Sequence, residues 1–158
     1  MIRYLLLGVL LAATGLSGLL AGISLDKAVV QLPARHQLGA LAYAAYIRAA
    51  DLQGGLRWYP LLGVGAPLLV VAAVALLPFA GFPRSVIIPI FVAAGLSGAH
   101  LVTTSRAAPL LLQLRHHDLD EATLQEVFRR FARWHGRRCI VQLATFGVLL
   151  WALFVLAA

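Results

Sequence analysis

Four long apolar stretches decide what this chain can become. A helix crossing the roughly 30 Å hydrocarbon core of a bilayer needs about 20 mainly apolar residues. Such stretches run at about 4–25, 58–79, 85–104 and 138–156. In lipid the backbone polar groups have no water to bond, so each stretch must be helical. The rest of the composition agrees. Only 12% of the 158 residues are charged, the mean hydropathy is +0.89, and a soluble domain carries about 25% charged residues. The sequence therefore reads as an all-α integral membrane protein. It forms one domain, 1–158, built as a four-transmembrane-helix bundle with amphipathic cytoplasmic helical extensions. The opening "MIRYLLLGVLLAATGLSGLLAG" has some features of a signal peptide. Three further apolar segments follow it, however, and it is read as a retained first span.

The first span should end at Asp26 and Lys27 and the third at Arg106. Pro60 suits the first turn of the second span, and Pro67 should bend it. "LPFAGFPR" makes a tight turn between the second and third spans. The other two connections are longer. "ARHQLGALAYAAYIRAADLQGG" reads as an amphipathic helix stopped by Gly54 and Gly55. Asp118 and Glu121 have capping-box spacing, and nothing after them stops a helix before the fourth span. One helix from about Asp120 to Leu156 is expected, its first turns outside the bilayer.

Basic residues set the orientation. Lys27, Arg35, Arg48 and Arg57 lie in the first connection. Arg106, Arg115, Arg129, Arg130, Arg133, Arg137 and Arg138 lie in the third. These eleven oppose Arg3 and Arg84. The expected location is a bacterial inner membrane, with both long connections cytoplasmic and both termini outside. Bases clustered beside apolar runs read as membrane topology, so nucleic acid is not an expected partner. The expected partners are membrane lipids and a lipophilic small molecule, with a homo-oligomer left open.

A GLSG pattern occurs in the first span ("AATGLSGLLAG") and again in the third ("VAAGLSGAHLV"). A duplication of two-span halves would relate them by an axis along the membrane normal.

Polar groups within spans carry the functional argument, because an unpaired one in lipid is costly. At about 100° per residue, His135, Arg138, Gln142 and Thr145 share one arc of the fourth helix. Ser97, His100 and Thr104 share one arc of the third, and Thr14, Ser17 and Ser24 form a milder stripe on the first. The second span carries nothing strongly polar below Trp58 and Tyr59 and reads as a packing wall. His100, Gln142, Asp26 and Lys27 lie at similar depth and can meet in the inner-leaflet half of the bundle. The plainer alternatives are structural. Arginines 129, 130 and 133 suit a surface facing anionic lipid, and Trp58, Trp134 and Trp151 suit an interfacial belt. His100 can tie two helices together, and His135 and Arg138 can reach the headgroups.

Several classes drop out. Cys139 is the only cysteine, so there is no disulfide and no CxxC redox pair. No Asp or Glu lies in a span core, which argues against a proton-coupled carboxylate relay and against a small exporter. His36, His116 and His117 lack ligand spacing. A stable metal site needs three or four converging donors; two well-placed histidines with few carboxylates leave a metal open but unsupported, and the cofactor is unknown, with none predicted.

"RAADLQGGLRWYPLLGVGAPLL", "LVTTSRAAPLLLQLR" and "FARWHGRRCIVQLATFGVLLWAL", in this order and spacing, resemble bacterial members of the anthrone-oxygenase-like family. The resemblance covers nearly the whole chain and rests on a TTxRAAP-like end to the third span and a WHxxR-like entry to the fourth. It implies a four-helix bundle and, by analogy with fungal relatives, oxidation of anthrones by molecular oxygen without an obvious cofactor. The family-like positions are Thr104, Arg106, Pro109, Trp134, His135 and Arg138. Under this reading His135 or His100 is the base and Arg138 stabilises the oxyanion. Trp134 stacks on the substrate, with Gln142, Ser97, Thr104 and Arg106 also binding it. The competing reading is a non-catalytic bundle, serving as a partner subunit or lipid-binding protein.

Overall fold

The computed structural model describes residues 1–79, 81–115 and 119–157. All regular structure among them is helical: α1 (Ile2–Asp26), α2 (Leu32–Leu38), α3 (Ala40–Ile47), α4 (Tyr59–Leu76), α5 (Arg84–Leu112) and α6 (Glu121–Ala157). Four helical runs are long and apolar enough to cross a membrane, as expected of a multi-pass bundle. They form a ring in which α1 packs on α4, α4 on α5, α5 on α6 and α6 back on α1. The GLSG-bearing helices α1 and α5 therefore stand diagonally across it. At one end the Arg3 guanidinium donates to the Leu156 carbonyl at 2.8 Å. This bond satisfies an end-of-helix carbonyl and brings the two termini together.

Three boundaries differ from the sequence expectation. The first helix does not stop at Asp26. A π-helical segment, Lys27–Gln31, carries it into α2, so one run extends from Ile2 to Leu38. Charge alone does not end a helix, whereas Gly39 does, at φ +80, a conformation that suits only glycine without strain. The first connection is accordingly split at Gly39. Beyond it α3 passes into a second π segment, Arg48–Gly54, and a short 3₁₀ turn, Gly55–Arg57. The third helix runs past Thr104 and Arg106 to Leu112. Its partner α6 is continuous from Glu121. The proposed cap at Asp118, like His116 and His117, lies outside the described residues.

Side chains sort into three layers along the bundle. Near the termini, Leu6, Leu10, Val70, Ile90, Leu149 and Leu156 belong to one closed apolar core. At the connection end a second core gathers Tyr43, Ile47, Leu114, Leu124, Phe128 and Phe131 from α3, the 3₁₀ turn after α5 and the start of α6. Between them along α1, α5 and α6 lie the buried polar groups Thr14, Ser17, Ser24, Lys27, Ser97, His100, His135, Gln142 and Thr145. Two apolar plugs thus enclose a polar layer.

Candidate functional site

The polar layer surrounds a cavity of about 360 Å³. Its walls are mainly aliphatic, and its polar lining includes Lys27, Asp51, His100, Thr104, Arg138 and Gln142. Pockets that bind small molecules have this make-up: a mostly apolar surface with a few placed polar groups. A much smaller, water-sized hollow lies alongside and shares His100 and Gln142 with it. Both GLSG serines, Ser17 and Ser97, line that hollow.

The two histidines are built alike. His135 is fully buried, with Nε2 2.9 Å from the Ser24 carbonyl of α1 and Nδ1 2.8 Å from Nη2 of Arg138. His100 places Nε2 3.2 Å from the Gly63 carbonyl of α4 and Nδ1 3.1 Å from Nε2 of Gln142. A carbonyl only accepts, so each Nε2 carries the proton. In the neutral ring Nδ1 is then an acceptor, receiving an N–H from Arg138 in one case and from Gln142 in the other. Both ring nitrogens of both histidines are engaged. The same logic orients Gln142: its NH₂ faces His100, and its Oε1 has no partner among the described residues.

Arg138 makes that single bond to a neutral imidazole. Among the described residues its Nε is buried without a partner, as is the Thr104 hydroxyl. Lys27 is paired instead. Its ammonium donates to Asp51 Oδ2, and Asp51 Oδ1 accepts from the Tyr59 hydroxyl at 3.1 Å. The partners come from the two π segments, one beginning at Lys27 and the other containing Asp51. A π turn widens the helix locally and recurs at functional sites. Here the two such turns bring a buried cation and anion together.

The site therefore contains most of the expected residues but not all. His100, Thr104, His135, Arg138 and Gln142 line the cavity, and Ser97 sits at the small hollow. Arg106 is exposed and absent from the lining. Trp134 packs on the connection-end core under the Arg137 guanidinium, 4.8 Å from its ring centre, and it too is outside the cavity. On α6 the aromatic face at the site is Phe131, stacked on His135 with ring centres 5.2 Å apart. α4 is more than a packing wall: Tyr59, Pro60, Gly63 and Val64 all line the cavity. Asp51 was the main omission. It lies in a connection rather than a span, yet it is only 5% exposed. The hydroxyls of Thr14, Thr103 and Thr145 bond carbonyls of their own helices, the structural role such residues commonly take.

Among the described residues no cluster of three or more His, Cys, Asp or Glu is placed to hold a metal ion. Compared with known proteins, the chain matches no family model, no curated protein and no solved structure.

Proposed function

We propose that this chain is a membrane enzyme acting on a lipophilic aromatic or quinone-like compound, in an anthrone-oxygenase-like oxidation. The observation that carries the reading is Arg138, a half-buried cation on an apolar cavity with no carboxylate hydrogen-bonded to it among the described residues. A charge held out of water without a bonded counter-ion costs several kcal/mol, and an incoming oxyanion would offset that cost. The aliphatic walls and Phe131 suit a ring system that partitions into the bilayer. Removing a proton from an anthrone gives an electron-rich anion that reacts with oxygen, leaving an anthraquinone and water. Arg138 would stabilise the oxyanion in that step. The basic connections support a cavity that opens toward the cytoplasmic leaflet.

A second reading rests on the histidines. With every ring nitrogen bonded to a neighbouring helix or to an α6 side chain, both already serve as ties. That pattern suits a non-catalytic lipid-binding bundle equally well. Protein in lipid nanodiscs, given an anthrone and oxygen, separates the two. The enzyme reading expects anthraquinone absorbance to grow faster than in empty discs, and about 10²-fold more slowly in Arg138→Met. Rates equal to empty discs, with only phospholipid co-purifying, would sink it in favour of the lipid-binding bundle.

A further inference from the structure

Taking as its basis the reading that the cavity receives a lipophilic compound, we infer that Asp51 is the proton acceptor of this site. The ligand is then a weak lipophilic acid, a phenol or enol, whose oxyanion remains on Arg138.

The histidines are poorly placed for the task. Each would need a free ring lone pair, and each Nδ1 lone pair already receives an N–H. For His135 that donor is a guanidinium, so adding a proton would set two cations against each other at 2.8 Å. Asp51 has the capacity the histidines lack. Among the described residues that line the cavity it is the only carboxylate. An ionised carboxylate offers about four acceptor positions, and Lys27 and Tyr59 take one each.

Charge is conserved across the step. In the resting cavity Lys27 and Asp51 cancel, leaving Arg138 as the uncompensated charge. On transfer the ligand O–H bond breaks, an O–H forms on Asp51, and the electron pair stays on the ligand oxygen. That oxygen then lies in a cavity holding two cations and a neutral acid. No oxidant enters this step. The groups that act on Asp51 from the packed elements are Lys27 of the first helical run, Tyr43 of α3, Tyr59 of α4, and His135 and Arg138 of α6.

The test uses 2-naphthol, which is protonated in neutral water and absorbs at longer wavelength as its anion, on the full chain in nanodiscs at neutral pH. Infrared difference spectra are recorded as the probe binds. The expected result is a naphtholate band together with a new protonated-carboxyl band. That carboxyl band should shift in deuterium oxide, move in Asp51→Glu and vanish in Asp51→Asn. Saturable binding with no carboxyl band, or with one that persists in Asp51→Asn, overturns the assignment while leaving the cavity reading intact. Absence of saturable binding overturns both. The Glu variant retains the charge beside Lys27, so the test survives if the Asn variant fails to fold.

Discussion

The two ends of the bundle meet the same demand in opposite ways. At the terminal end, close packing does most of the work: Leu10, Val70, Ile90 and Leu149 have no exposed surface. Toward the connections the helices part around a cavity, and charged groups take up positions that apolar side chains occupy at the other end. Within a bilayer, lipid tails are as apolar as leucine, so helices associate through packing and polar contacts. The terminal end relies on the first, and the connection end combines an apolar plug with the second. The difference separates a part built for cohesion from a part that gives up cohesion to hold polar groups.

The comparison breaks most sharply at the buried ion pair. Asp51→Ala leaves Lys27 buried and unpaired, a loss of about 3–5 kcal/mol expected of such single removals. The double change Lys27→Met with Asp51→Leu should recover most of it, because an apolar pair of similar size needs no counter-charge. Unfolding in detergent mixtures would measure both, and a double variant as weak as the single would contradict the account. Next comes Leu149→Ala, where a cavity in the closed core should cost about 2–4 kcal/mol while probe binding stays unchanged. Arg138→Met should do the reverse, binding the anionic probe at least tenfold more weakly with stability unchanged or raised. If both substitutions lowered stability alike, the division between the two ends would fall.

The smallest expected effect is at Tyr43. Its hydroxyl is buried with no partner among the described residues. Burial, reinforced by the charge of Asp51, pushes its pKa up from 10.0 to about 12. A folded-state pKa above the unfolded one means the native state holds the proton longer, so stability falls as pH rises from about 10 toward 12. Tyr43→Phe should flatten that alkaline decline and change stability at neutral pH by no more than about 1 kcal/mol. Thermal unfolding at neutral and alkaline pH checks both.

The four spans were legible because about twenty apolar residues in a row admit few alternatives. The uninterrupted α6 was legible too, since no proline or turn cluster breaks it. At the site, helical spacing gathered His135, Arg138 and Gln142 correctly, and on α5 it gathered Ser97, His100 and Thr104. Asp51 was not legible, because an acid in a connection reads as solvated and only the tertiary path turns it inward. The π segments were hidden for a related reason. They depart from the 3.6-residue period on which a helical pattern is read. Trp134 and Phe131 sit three residues apart on α6, and spacing alone did not reveal which of them faces the cavity.

The paired histidines have a mechanical consequence. Each grips a particular carbonyl on a neighbouring helix, Ser24 for His135 and Gly63 for His100. Sliding a helix by one residue shifts it about 1.5 Å and turns its side chains through 100°, which would carry those carbonyls out of reach. The imidazoles therefore act as keys that lock α1 to α6 and α4 to α5 in a single register. The bundle therefore resists shear.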